Sequence, residues 1–192
     1  MNYFRLALSP VLGGYKTRNI KDINEPELGS ILYCYLLGGA CEHSGIYVGN
    51  NEIVHLNGDG LVEKVNHITF MKRLDGKNLA ENIYVSCKGL KAVGSKNAAK
   101  AAMKLVGKRF QYSMLGFNCH AFTALCFKNS LESPKNIASS HLNLILSLPS
   151  FVYPTLAKPL LVYSFYDNCA NKYDHAAKIF LDVDNWRIWD VK

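Results

Sequence analysis

The chain has 192 residues, 49% of them hydrophobic and 19% charged, with a net charge of +7. That suits one globular domain with an appendage better than two full domains. Its six cysteines, at positions 34, 41, 87, 119, 126 and 169, are scattered without dense spacing, which speaks against a disulfide-stapled scaffold and reads as reduced thiols.

Residues 1–28 hold Pro10, Gly13-Gly14 and Pro26 and form an irregular entry with little periodicity. The N-terminal apolar run is short and soon broken by Pro10, so no usual secretory signal is expected. The expected location is cytoplasmic or peripheral to a membrane, with export by a route that needs no signal peptide left open. Four strands follow: Ile31–Leu37, Ser44–Gly49, Glu52–Leu56 and Asn82–Cys87, all short and rich in β-branched or aromatic residues. A helix is predicted over Asn97–Val106, with Ser95 as its N-cap and Gly107 as its stop. A second is predicted over Cys119–Phe127, entered through Asn118. The tail DHAAKIFLDVDNWRIWDV reads as a short helix and then a strand, with Trp186 and Trp189 as anchors and His175 at the surface.

Charge is unevenly placed. Between Met71 and Phe110 ten Lys or Arg stand against Asp75 and Glu81, and the rest of the chain is nearly neutral. Lys96, Lys100, Lys104 and Lys108 recur every fourth residue, which on a helix makes one basic stripe. Two readings stay open for it: a solvated helix face, or contact with an anionic surface such as a phospholipid bilayer. Nucleic acid is not an expected partner, because no recognised binding motif or interleaved aromatic pattern accompanies the charge.

The segment HSGIYVGNNEIVHL, His43 to Leu56, is a hairpin whose register can be tested. A three-residue loop, Gly49-Asn50-Asn51, pairs Val48 with Glu52 and puts Ile46, Val48, Val54 and Leu56 on one apolar face. His43 and His55 then share the opposite face, diagonal to each other at about 7–8 Å between backbones, with Gly45 opposite His55. A two-residue loop would split both sets. Further along, GFNCHAF places Asn118 as a favoured N-cap and Cys119 in the first turn of the helix. The dipole and unpaired amides of that turn stabilise a thiolate, so Cys119 is placed like a nucleophile. Each feature alone also fits a core residue, a packed strand histidine or a small buried cysteine.

Taken together, the two boxes resemble the lecithin:retinol acyltransferase family, which includes the HRAS-like phospholipases and acyltransferases. HSGIYVG with IVHL is similar to its histidine box, and AMKLVGKRFQYSMLGFNCHAFTALC to its cysteine box, over roughly Gly29 to Ser130. The resemblance implies an α+β, circularly permuted papain-like (NlpC-type) fold: a small antiparallel sheet packed on helices, with the nucleophile at a helix N-terminus. It implies a catalytic domain at 29–130; beyond it the resemblance says less, and residues 131–192 read from their own composition as an apolar extension. It also implies that His43 is the base, His55 the group that orients it and Cys119 the nucleophile, with no cofactor and no metal. Two positions depart from the family pattern. His120 and Ala121 stand where an acidic residue and a histidine usually follow the cysteine, and Gly29-Ser30 stands where a Gly-Asp pair is common. Tyr112 is a further helper or a packed aromatic.

The function these residues imply is thiol acyl transfer. His43 takes the proton of Cys119, the thiolate attacks an ester or amide carbonyl and a thioester forms, with the Cys119 amide as an oxyanion donor. The substrate expected first is a glycerophospholipid at an anionic membrane, as a phospholipase A or acyltransferase; a bacterial protein of this kind would suit a membrane-damaging effector. A papain-like peptidase or amidase acting on peptidoglycan or protein amides is the alternative. A third class, a zinc site of His43, His55 and Cys119 with a vacant fourth position, is told apart by metal analysis. The apolar stretch from His141 to Tyr166 is interrupted by Pro149, Pro154, Lys158 and Pro159, and reads as ordinary core, a membrane-docking or acyl-chain-covering segment, or a spanning helix.

Overall fold

The computed structural model describes residues 21–23, 25–39, 41–73, 80–113, 116–129 and 172–191. The stretch from His141 to Tyr166, and Cys169, lie outside the described residues.

The strands are β1 (Lys21–Ile23), β2 (Ile31–Leu36), β3 (Cys41–Gly49), β4 (Glu52–Leu56), β5 (Val62–Asn66), β6 (Ile83–Lys88), β7 (Lys91–Ala92) and β8 (Asn185–Trp189). The helices are α1 (His67–Met71), α2 (Lys96–Leu105), α3 (Cys119–Asn129) and α4, residues 172–181. The strands form one sheet in the order β1-β8-β6-β2-β3-β4-β5, with β7 paired to β6; β1 runs parallel to β8 and every other pairing is antiparallel. The architecture is α+β, a small, almost wholly antiparallel sheet with helices packed on it.

Chemistry follows the alternation along each strand. In β2, Ile31 and Tyr33 face one cluster while Leu32 and Cys34 face another, so the strand is apolar on both sides. The first cluster adds Ile46, Val54, Leu56 and Val62 from the sheet, together with Ala98, Ala99 and Ala102 of α2, Phe122 and Phe127 of α3, and Tyr173, Ala176 and Ala177 of α4. Alanines on the inner face of α2 let the helix lie close to α3 and the sheet. Its N-cap is Ser95, whose Oγ accepts from Ala98 N at 3.2 Å, and Gly107 at φ +83° follows its end. Lys96, Lys100 and Lys104 are exposed on its outer face, and Lys108 is exposed beyond its end.

The second cluster, Leu32, Cys34, Tyr47, Ile53, Phe70, Ile83, Val85, Cys87 and Trp189, lies on the other side and carries α1. Residues 172–191 are built into the same sheet and core. Tyr84 pairs with Ile188 and Ser86 with Trp186, both tryptophans are buried, and Tyr173 sits among Tyr33, Trp186 and the ring of His120. His175 is exposed. No disulfide joins the described cysteines at 34, 41, 87, 119 and 126 to one another. Among the described residues no helix is long and apolar enough to cross a membrane.

Candidate active site

The hairpin β3–β4 keeps the expected face assignment by a different turn. Asn50 and Asn51, at φ +53° and +58°, form a two-residue turn, and Glu52 pairs with Gly49. Two left-handed residues match the twist of the strands they join. A bulge between Tyr47 and Gly49 adds one residue to β3, so that Tyr47 still pairs with Ile53 and Ile46 with Val54. Without that bulge a two-residue turn would have sent the histidines to opposite faces.

His43 and His55 therefore meet, His43 Nε2 lying 3.0 Å from His55 Nδ1 with both side chains buried. The ring planes are nearly perpendicular, and Phe70 of α1 packs over both rings, 5.0 Å from His43 and 5.6 Å from His55 between centroids. Gly45 makes this approach possible: a Cβ there would lie 2.7 Å from Ile53 Cγ2 and 3.1 Å from His55 Cβ. Gly45→Ala is expected to cost about 1–3 kcal/mol by overpacking and to push His55 away from His43. Thermal melts read the first effect, and a fall in turnover larger than the loss of folded protein reads the second.

His43 is held well below the usual imidazole value, first by burial and then by His55, Arg73 and His120 around it. His55 is likewise lowered by burial, against the opposing pull of Glu63. Both rings are therefore neutral at pH 7. Beyond them lie two groups that sequence reasoning missed. Glu63 on β5 is the direct cross-strand partner of His55, with Oε1 3.3 Å from His55 Nε2. Arg73, just past α1, gives Nη1 and Nη2 to that oxygen at 2.9 and 2.7 Å, and its Nη2 also contacts His55 Nε2.

Cys119 arrives from the other side of the sheet. Asn118 caps α3 as expected: its Oδ1 accepts from His120 N at 3.1 Å and Ala121 N at 3.0 Å. Cys119 is buried in the first turn, and α3 packs against β3. The cysteine lies within charge-interaction range of Cys34, the cross-strand partner of His43, and of Arg73, which touches His55. His120 turns inward. Its Nδ1 is 2.8 Å from Ser44 Oγ, which is 3.0 Å from Thr123 Oγ1, so the residue beside the cysteine ties α3 to the strand position beside His43. The same nitrogen is 3.9 Å from Cys119 Sγ.

Helix α4 braces this turn: Tyr173 stacks near His120 and bonds Glu42, and Lys172 Nζ donates to Gly116 O at 3.1 Å. Tyr112 is half-buried against the apolar cluster shared by the sheet and α2–α4. Among the described residues no group of three or more His, Cys, Asp or Glu is arranged to hold a metal ion, and the ring-to-ring bond occupies one nitrogen on each histidine.

With this geometry in view, comparison with known families finds that the model for lecithin retinol acyltransferase matches residues 24–131, more than half of the chain. The chain belongs to the lecithin retinol acyltransferase family. The matched range runs from just before β2 through the end of α3, and so takes in both histidines, Glu63, Arg73 and Cys119. Membership implies an enzyme with activity of the acyltransferase or phospholipase type. Among curated proteins no match is found.

Proposed function

We propose that this protein is a cysteine-dependent acyl-transfer enzyme that acts on glycerophospholipid esters, with Cys119 as nucleophile, His43 as base and His55 as the group that orients it. The observation that carries the reading is the buried 3.0 Å contact between His43 and His55, found in a family member whose Asn118-capped helix begins at Cys119. A circularly permuted papain-like descent is the fold reading that accords with a nucleophile in the first turn of a helix and its base on a neighbouring strand.

The reaction balances as two displacements. His43 takes the thiol proton, sulfur bonds to the acyl carbonyl carbon, and the amide of Cys119 stands near the developing oxyanion. The intermediate collapses to a thioester, and His43 returns the proton to the departing lysolipid oxygen. Water attacking the thioester, its proton passing to His43, releases fatty acid and restores the thiol. An amine or alcohol acceptor in place of water yields the acylated acceptor. Release of lysolipid and fatty acid would damage the membrane that holds the substrate, which is the action expected of an effector.

Incubation with mixed glycerophospholipids and, separately, with peptidoglycan fragments, followed by mass spectrometry, tests the reading. Fatty acid and lysolipid, or an acylated acceptor, are expected. Clipped stem peptides with intact lipid would replace it by the amidase reading.

The exposed lysines of α2 are proposed to hold the enzyme at an anionic surface as a peripheral protein. Reversal of Lys96, Lys100 and Lys104 to Glu is expected to weaken binding to anionic vesicles by about 1 kcal/mol per lysine, less at high salt. Activity on a short soluble ester should persist. Unchanged vesicle sedimentation would return the stripe to a solvated helix face.

A further inference from the structure

Two neutral imidazoles joined nitrogen to nitrogen allow only two proton patterns, because each ring carries one N–H and one acceptor nitrogen. In one, His43 donates from Nε2 to His55 Nδ1, and His55 carries its proton on Nε2. In the other, His55 donates from Nδ1 to His43 Nε2, and His43 carries its proton on Nδ1. Only the first leaves His43 Nδ1 able to accept a proton, and Nδ1 is the nitrogen that the contact with His55 does not use. What selects between them must act at the far nitrogen of His55.

That nitrogen has two neighbours of opposite preference. Glu63 Oε1, 3.3 Å away, can only accept. Arg73 Nη2, in contact with the same nitrogen, can only donate. Both Nη1 and Nη2 of Arg73 also give to Oε1, the same oxygen that faces His55, which fixes the carboxylate toward the ring. The cross-strand register of β4 and β5 puts Glu63 directly opposite His55, and α1 delivers Arg73 one residue past its C-cap.

We propose that Glu63 and Arg73 are positioning residues that set this pattern: Glu63 accepts the Nε2–H of His55, His55 Nδ1 accepts from His43 Nε2–H, and His43 Nδ1 is left as the base. Arg73 orients the carboxylate and, in its absence, is the group that would reverse both rings. The inference rests on the reading of His43 as the base. It extends the pair to a relay in which the carboxylate stabilises the imidazolium formed when His43 takes the thiol proton, as a buried carboxylate does for the histidine of a serine triad. Among the described residues, the titratable groups that act on the two rings, besides each other, are Glu63, Arg73 and His120, and Cys34 on β2 and Cys119 on α3 act in turn on Arg73. The Cys34 thiol is pushed up to about 12 by burial, so it stays protonated throughout the working range.

The test is long-range proton–nitrogen correlation NMR of the ¹⁵N-labelled full chain, paired with kcat/KM against pH. In the parent protein Nε2 of both histidines is expected to be protonated and both Nδ1 unprotonated. In Glu63→Met, Arg73 is left as the neighbour of His55 Nε2, and both protons are expected to move to Nδ1. Its kcat should fall about 10- to 100-fold with KM within twofold. Glu63→Gln, which keeps the shape and removes the charge, should shift the acid limb of kcat/KM to lower pH. Arg73→Met should shift that limb to higher pH, because a cation beside the rings is lost. An unchanged tautomer in Glu63→Met, or limbs that move the same way in the Glu63 and Arg73 variants, would overturn the proposal. The NMR readout needs no substrate, so it fails or succeeds independently of the lipid reading.

Discussion

Cys119→Ser is expected to fold as the parent does and to lose roughly 10⁴- to 10⁶-fold in turnover, the scale seen when a nucleophile acting with its base is removed. Serine is the smaller isostere of cysteine, the position opens a helix where serine is well tolerated, and the side chain is small and buried, so the melting temperature should change by about 2 °C or less. The chemistry does not survive the exchange, because a hydroxyl gives up its proton far less readily to a base suited to a thiol. Selective alkylation with a substoichiometric reagent should report the same residue. Burial raises the thiols of Cys34 to about 12 and Cys87 to about 11, and raises Cys126 further, which leaves those three protonated and slow. Cys41 is half-buried and serves as the internal competitor. Peptide mapping that finds Cys41, Cys34 or Cys87 labelled ahead of Cys119, or full activity in Cys119→Ser, would move the nucleophile elsewhere.

Much of this site could be read from residues in sequence because its signals are local. Alternation along HSGIYVG and EIVHL required His43 and His55 on one face once the apolar set was placed on the other, and the N-cap preference of Asn118 required Cys119 in a first turn. The turn itself was misjudged. Asn50-Asn51 forms a two-residue turn, and the bulge at Val48 and Gly49 adds back the residue that a three-residue loop would have supplied. Glu63 and Arg73 gave no such signal. LVEKVN does not alternate cleanly, since two charged residues stand between Val62 and Val65, and Arg73 was only one of ten cations between Met71 and Phe110 with no pattern to single it out. The structure holds Arg73 against Glu63 beside His55. Its position depends on β5 pairing with β4 and on α1 folding back over the sheet, which are long-range facts that no window of sequence carries. The same holds for β8: NWRIW reads as a strand, but its place between β1 and β6 is a matter of topology.

His43→Ala is expected to cost about 10²- to 10⁴-fold in kcat, the usual worth of a positioned general base, whereas His55→Gln should retain a measurable fraction. The difference follows from what each ring does. In the proposed mechanism His43 exchanges a proton in every turnover, while His55 contacts His43 Nε2 at 3.0 Å, a contact that a glutamine amide can partly replace. Equal, full activity in both variants would refute the assignment. The pH dependence carries a sign. As the proposed base His43 would act only when neutral, and burial, with His55 and Arg73 beside it, holds its protonation well below the ordinary value of 6.5. Activity should therefore persist as pH falls through 6.5 and decline only at lower pH, with the apparent constant belonging to the coupled histidine pair. Stability follows the same shift. Above 6.5 His43 and His55 are neutral in both folded and unfolded chains, so their contribution is fully present. As pH drops, the unfolded chain takes up protons that the folded site refuses, and that contribution is lost as pH falls toward the folded values. In His43→Ala the loss of stability on acidification from pH 7 to 5 should be smaller than in the parent, measured by denaturant midpoints at each pH. A parent protein equally stable at both pH values would show that the two rings are not buried neutral in the folded state.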